Sequence, residues 1–147
     1  MKYYEQLVTN CDPENGIYGD CYRTCVACFL EIEPQNIPPI TNPDLSKYED
    51  ELNDWLIENY GLCLIGFPFK ALDSHEKTME MFEQFFDGNV RKDMPYIFVG
   101  TSPQGICHAV IAEDGKIIHD PHPNKTGITG PVDTFYWIIY LVKVFKK

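Results

Sequence analysis

Residues 19–30 read Gly19-Asp20-Cys21-Tyr22-Arg23-Thr24-Cys25-Val26-Ala27-Cys28-Phe29-Leu30. Apolar residues recur here at helical spacing, and aspartate is a frequent N-cap, so the stretch predicts a helix that begins at Cys21 behind Asp20. A cysteine in the first turn lies at the positive end of the helix dipole, which favours thiolate over thiol. Because the thiolate is the nucleophile, Cys21 is a candidate catalytic residue.

The same helix carries two further cysteines, Cys25 and Cys28, which lie deeper in its apolar stripe. Free cysteine behaves as a small hydrophobic side chain in protein cores, so we predict that these two residues pack in the interior. The same structural interpretation is open for Cys21 when its position in the helix is considered alone.

A nucleophilic thiol requires a base that holds it as thiolate and later protonates the leaving group. The candidate is His108, at the start of a β-rich run that reads Gly105-Ile106-Cys107-His108-Ala109-Val110-Ile111. The alternative is a strand histidine that is hydrogen-bonded within the core.

A carboxylate near His108 would orient the imidazole and stabilise its protonated form. The turn signal at residues 113–115 predicts a hairpin, and the loop length decides which residue faces His108. A loop of residues 114–115 places Pro121 opposite His108, whereas a loop of residues 113–115 places Asp120 there. Three-residue loops that end in glycine are common, so we predict the second register, with Asp120 as the orienting residue. A turn-initiating role in the Asp-Pro step is the alternative for Asp120.

The oxyanion that forms during acyl transfer needs two hydrogen-bond donors. The backbone N–H of Cys21 is available at the helix start. A side-chain amide upstream could supply the second donor, with Asn15 as the candidate and Gln6 more remote. The Asn15-Gly16 pair is also typical of a plain turn, and that interpretation is favoured.

The composition indicates a globular protein and limits its partners. The chain has 147 residues, of which 44% are hydrophobic, so we predict one folded domain over residues 1–147. The formal net charge of −10 argues against nucleic acid and anionic membranes as partners. The first residues lack the apolar segment of a signal peptide, and six cysteines without such a segment suggest free thiols. We therefore expect a cytoplasmic protein.

The pattern of elements predicts an α+β fold. Helices are expected at about residues 21–32, 44–59 and 74–86, and strands at about 62–67, 96–100, 107–112, 116–120 and 135–145. Pro68 is expected to close the first strand. The acidic run Glu49-Asp50-Glu51 resembles a solvated helix face. The fold is predicted as N-terminal helices packed on a C-terminal antiparallel sheet.

A metal site is an alternative use of the same residue types. Three cysteines share a helical face, and three histidines lie close together in sequence: Cys21, Cys25, Cys28, His108, His119 and His122. No paired C-x-x-C motif or compact cysteine–histidine spacing is present, so we predict neither a metal nor another cofactor.

Three motifs together resemble papain-like cysteine hydrolases, in the broad sense that includes bacterial C39-like and NlpC/P60-like peptidases. More narrowly, they resemble small phage and bacterial proteins of this type. The motifs are the helix start Gly19-Asp20-Cys21 with Cys25, the strand Gly105-Ile106-Cys107-His108-Ala109-Val110, and the segment His119-Asp120-Pro121-His122-Pro123. The order Cys, His, Asp is the order in papain.

The resemblance implies a papain-like fold in which Cys21 is the nucleophile, His108 the base and acid, and Asp120 the orienting residue. Papain has a glutamine six residues before its nucleophile, where this chain has Asn15. The implied reaction is hydrolysis or acyl transfer on an amide, isopeptide, ester or thioester, in a small-molecule or a peptide or protein substrate. The host cytoplasm is the expected location if a phage encodes the chain. The alternative is a non-catalytic binding module, such as a phage accessory protein, on the same fold.

Overall fold

A computed structural model describes residues 1–41, 44–89 and 93–144. The helices and strands of these ranges are α1 (Cys21–Leu30), α2 (Leu45–Tyr60), β1 (Leu62–Lys70), α3 (His75–Asn89), β2 (Tyr96–Thr101), β3 (Cys107–Glu113), β4 (Lys116–His119) and β5 (Phe135–Lys143). The predicted α+β class is confirmed. The ranges contain three α-helices and one five-stranded antiparallel sheet, with β1 placed before the third helix.

The helix ends follow from local chemistry. α1 ends two residues before the predicted limit because Glu31 adopts the left-handed conformation, with φ of 57°. At the start of α2, the Asp44 carboxylate accepts a hydrogen bond from Ser46 N–H at 3.0 Å. Gly61 ends α2 in the left-handed conformation, which glycine adopts without strain. Across the described ranges, no helix combines the length and apolar character needed to cross a bilayer.

The strands are arranged in the order β1-β5-β2-β3-β4, and every neighbouring pair is antiparallel. The prediction that Pro68 closes β1 is wrong, because β1 continues to Lys70 and Pro68 pairs with Trp137. β1 lies at the edge of the sheet and pairs with a neighbouring strand on one side only. Proline, which has no backbone N–H, is tolerated in such an edge strand. The predicted end of β5 at residue 145 lies outside the described residues.

Both faces of the sheet are covered, and strand β3 contributes to each. Its successive residues alternate between the faces, as the pleat of a strand requires. Ala109 and Ile111 pack in the cluster that includes α1 and α2, whereas Val110 and Ala112 pack with Phe82 of α3. All four β3 residues are at most 2% exposed. Because β3 is buried on both faces, its first residues are held rigidly in place.

Candidate active site

Cys21 is the first residue of α1 and is half-buried on the wall of a cavity. The preceding Asp20 occupies the N-cap position, but its carboxylate makes no capping hydrogen bond. It accepts hydrogen bonds from the N–H groups of Leu7 at 3.0 Å and Val8 at 2.9 Å. The expectation that the Asp20 side chain caps the helix is therefore wrong. This buried carboxylate ties the N-terminal segment to the start of α1.

Cys25 and Cys28 belong to the core, as predicted. Both are fully buried in the cluster between α1, α2 and the sheet. The Cys28 sulfur also accepts a hydrogen bond from Tyr4 N–H at 3.3 Å. Burial raises the pKa of both thiols, so both favour the neutral form. Of the three cysteines on α1, Cys21 alone lines the cavity.

His108, the second residue of β3, interacts with side chains on two sides. Its Nε2 lies 2.8 Å from Asp120 Oδ1, and the Cys21 side chain lies near enough to the ring to raise the pKa of His108. Because Asp120 occupies Nε2, the ring nitrogen left for the thiol is Nδ1. The structure therefore brings Cys21, His108 and Asp120 into one continuous chain of contacts, in the arrangement that the sequence predicts.

The Asp120 carboxylate is held by three donors and is 5% exposed. Besides His108, the backbone N–H of His122 donates to Oδ1 at 2.9 Å and that of Gly127 donates to Oδ2 at 2.8 Å. Burial alone would raise the pKa of Asp120, but the hydrogen bonds from His108 and the two backbone amides outweigh it and lower that pKa. Asp120 is thus ionised, and its carboxylate is held in one orientation as a hydrogen-bond acceptor.

The protonation of His108 follows from its two neighbours. Burial would lower its pKa, but the hydrogen bonds and charges of Asp120 and Cys21 outweigh burial and raise the pKa to about 9. At neutral pH the imidazole is therefore protonated and donates an N–H on each side. A protonated histidine next to a cysteine is the state that stabilises a thiolate and can protonate a leaving group.

The hairpin register differs from the predicted one. Asp114 and Gly115 both have positive φ, 54° and 75°, and Glu113 pairs with Lys116, so the loop has two residues rather than three. A shift of register between Ile111 and Ala112 then interrupts the pairing with β4. Asp120 therefore reaches His108 from beyond the end of β4, and not from a paired position. The predicted contact is present, but the predicted register is wrong.

The side-chain amides proposed as oxyanion donors do not reach the site. Asn15 Nδ2 donates to Asp12 Oδ2 at 2.6 Å on the surface, and Asn15 is not among the residues that line the cavity. Gln6 is buried, and its Nε2 donates to Val8 O at 2.7 Å. The backbone N–H of Cys21 lacks an intrahelical partner because it lies in the first turn. That N–H remains the available donor.

A cavity of about 560 Å³ opens beside Cys21 and His108. It lies between α1, α2 and the face of the sheet that these helices cover. Apolar side chains from β1, β2, β3 and β5 form much of its wall, among them Leu64, Val99, Ala109, Trp137 and Ile139. Its volume lies in the range of small-molecule sites, and the nucleophile candidate is part of its wall.

Two polar residues line this cavity side by side, which was not predicted from the sequence. Glu49 was assigned to a solvated helix face, but its carboxylate lines the cavity and is half-buried. Tyr22 also lines the cavity, and its buried hydroxyl lies beside the Glu49 carboxylate. Burial raises the pKa of Glu49, and the Tyr22 hydroxyl partly counteracts that effect. The available signal was helical spacing, since Glu49 lies three and seven residues before the buried Leu52 and Leu56.

The histidines considered for a metal site are engaged elsewhere. His119 Nε2–H donates to Tyr4 O at 2.7 Å, and His122 Nδ1 accepts a hydrogen bond from Asn124 N–H at 3.0 Å. In the part of the chain that the structure describes, no group of three or more His, Cys, Asp or Glu side chains is arranged to hold a metal ion.

The chain was compared with family models, curated proteins and solved structures. None of the three comparisons found a match. The papain-like resemblance therefore remains an expectation from the three sequence motifs, and the geometry of Cys21, His108 and Asp120 is the basis for a function.

Proposed function

We propose that the chain is a papain-like cysteine hydrolase or acyltransferase with Cys21 as nucleophile. One observation carries the proposal: His108 hydrogen-bonds Asp120 and lies beside Cys21 at the wall of a cavity large enough for a substrate. A thiol, an imidazole and an ionised carboxylate in this order are the parts that nucleophilic acyl transfer requires. The placement of Cys21 at a helix start packed against an antiparallel sheet supports the papain-like fold.

The chemistry proceeds in two steps. Cys21 Sγ attacks the carbonyl carbon of an amide, isopeptide, ester or thioester, which forms a C–S bond and an oxyanion near the Cys21 N–H. The oxyanion collapses and breaks the bond to the leaving group, which takes the proton of His108. An acyl thioester on Cys21 and a neutral His108 result. His108 then removes a proton from water or an amine, which attacks the thioester and releases Cys21 as thiolate.

Labelling of the six thiols tests this proposal. We expect iodoacetamide to modify Cys21 first in the folded protein, because His108 stabilises its reactive form. Cys107 provides a matched comparison, since it lines the same cavity but desolvation raises its pKa to about 11. Site-resolved mass spectrometry of the alkylated protein measures the order of modification.

The variant Cys21→Ala should lose turnover in a screen of amide and thioester substrates, whereas Cys107→Ala and Cys11→Ala should retain it. Loss of activity in Cys21→Ala with an unchanged unfolding midpoint supports the nucleophile assignment. An unreactive Cys21 in a folded wild-type protein contradicts the proposal.

A non-catalytic binding module is the second candidate, and the apolar cavity is the observation that favours it. A binding protein would retain its ligand when the thiol is removed and would not form an acyl adduct. Incubation with an activated thioester, followed by intact mass measurement, separates the two functions. A mass increase equal to the acyl group, located on Cys21, supports the enzyme.

A further inference from the structure

The polar groups of the cavity divide into those already satisfied and those that are not. Tyr48 OH donates to Pro38 O at 2.7 Å, and Asn53 Oδ1 accepts from Leu64 N–H at 2.7 Å. The hydrogen-bonding capacity of these two side chains therefore serves the fold. The Glu49 carboxylate and the Tyr22 hydroxyl line the same cavity beside each other, and neither is bonded to the backbone in the described part of the chain.

Of these two residues, Glu49 is the one that indicates a class of ligand. Among the described residues, no lysine, arginine or histidine forms an ion pair with its carboxylate. A half-buried carboxylate without a counter-ion is costly, because burial removes water that would stabilise its charge. A ligand that brings a positive charge to this position would remove that cost.

The overall charge favours the same class of ligand. The formal net charge is −10, so a cation is attracted to the protein over a distance and an anion is repelled. The wall around Glu49 is otherwise mostly apolar, which suits an aliphatic or aromatic segment between the reacting carbonyl and the charged end.

We infer that the acyl substrate has an apolar segment that ends in an amino or other cationic group, and that this group binds Glu49 with the Tyr22 hydroxyl beside it. The inference rests on the proposed function, since it takes Cys21 to mark the position of the reacting carbonyl. Glu49 is thereby a specificity-determining residue, and Cys21 remains the catalytic one.

Equilibrium binding tests this inference without any turnover. In the Cys21→Ala variant, ligand-observed NMR titrations would compare ω-aminohexanamide with heptanamide, in which a methyl group replaces the amine. We expect the ammonium compound to bind about tenfold more tightly, the usual effect of one charge-assisted hydrogen bond. A series with two to six methylene groups would locate the chain length that fits.

The substitution Glu49→Gln should abolish the preference for the ammonium compound and leave the affinity for heptanamide unchanged. Glu51→Gln is the matched control, because Glu51 is exposed on the same helix and the substitution removes the same charge. Tyr22→Phe is a second test, since the Tyr22 hydroxyl lies beside Glu49 and makes no backbone contact among the described residues. It should weaken the preference by a smaller factor.

Equal affinities of the two amides, or an unchanged preference in Glu49→Gln, would overturn the inference. Such a result would leave the Cys21 chemistry intact, because alkylation and acyl-adduct formation are measured separately. Conversely, ammonium selectivity together with an unreactive Cys21 would retain the ligand class and remove the enzyme.

Discussion

The imidazole of His108 connects the two other residues of the site, and its protonation state is set by both. Asp120 accepts from Nε2 at 2.8 Å and is itself fixed by two backbone amides. The ring therefore has one orientation, with Nδ1 directed to Cys21. The proposed acyl transfer requires that this ring hold a proton and deliver it to the leaving group.

Replacing Asp120 by Asn should remove the ionic partner while keeping a similar shape. We expect the pKa of His108 to fall from about 9 towards the ordinary value, and kcat to fall roughly 10- to 100-fold. NMR titration of the histidine ring protons measures the pKa. Asp54→Asn, which removes an exposed carboxylate on α2, is the control and should change neither quantity. An unchanged His108 titration in Asp120→Asn would contradict the assignment.

The same pair predicts how stability depends on pH. The pKa of His108 is about 9 in the folded protein and about 6.5 in an unfolded chain, so folding favours the protonated form. The stabilisation is fully present below about pH 6.5, declines as the pH rises, and is lost above about pH 9. It amounts to at most about 3.5 kcal/mol.

Asp120 affects the stability of the fold at acidic pH, because its pKa is lowered in the folded protein. Its contribution is present above the ordinary carboxyl pKa of about 4 and is lost as the pH falls through the folded value. Urea unfolding across this pH range measures the free energy of unfolding. We expect the difference in this free energy between wild type and Asp120→Asn to be greatest between about pH 5 and 6.5. A difference that does not vary with pH would rule out the ion pair as its source.

At the scale of elements, Gly100 of β2 allows a loop to pack beside the strand that carries His108. Gly100 pairs with His108, and a Cβ at Gly100 would meet Ile128 Cγ2 and, at 2.6 Å, the carbonyl oxygen of Gly130. That carbonyl also accepts from Thr101 N–H at 2.7 Å, so the loop is held in place. A glycine is therefore required at this position, because the backbone of the loop approaches too closely to leave room for a Cβ.

The substitution Gly100→Ala should lower the free energy of unfolding by about 1–3 kcal/mol, the usual cost of overpacking. Gly66→Ala in β1 is the matched control, since its added Cβ meets Ile139 Cγ1 at 3.4 Å, an ordinary contact. We expect the control to change stability by less than about 0.5 kcal/mol. Urea denaturation of the two variants measures both values, and equal stabilities would refute the packing argument.

At the scale of the whole molecule, the net charge of −10 influences which reagents reach the cavity. Thiol reagents that differ only in a trimethylammonium or a sulfonate tail should modify Cys21 at different rates, with the cationic one about tenfold faster at low salt. Long-range attraction is screened at high ionic strength, since the Debye length is about 3 Å in 1 M salt. Stopped-flow measurements should therefore show the rate ratio to decrease with salt.

A part of the preference should persist at high salt in the wild type and disappear in Glu49→Gln. A short-range pair within the cavity is screened less than charges at a distance. A rate ratio near one at every salt concentration would mean that neither the net charge nor Glu49 influences access to Cys21.

Local signals were sufficient for the α+β class and for three site residues. Helical periodicity and Gly61 located α2, and Asp20 marked the start of α1 at Cys21, although its side chain does not cap the helix. These signals act over a few residues, so a sequence carries them directly. The contact of His108 with Asp120 was also predictable, although the register was not, because a hairpin brings together residues that are close in sequence.

The tertiary structure decided the features that depend on distant partners. The register shift at Ile111 carries Asp120 beyond β4, and the buried Asp20 carboxylate binds the backbone of residues 7 and 8. Glu49 faces a cavity because α2 packs over α1 and the sheet. The sequence by itself therefore determined the elements and the three candidate residues, whose signals are local, but the approach of Cys21 to His108 depends on the packing of α1 against β3. Packing decided the wall of the cavity, because the burial of a side chain depends on elements that are remote along the chain.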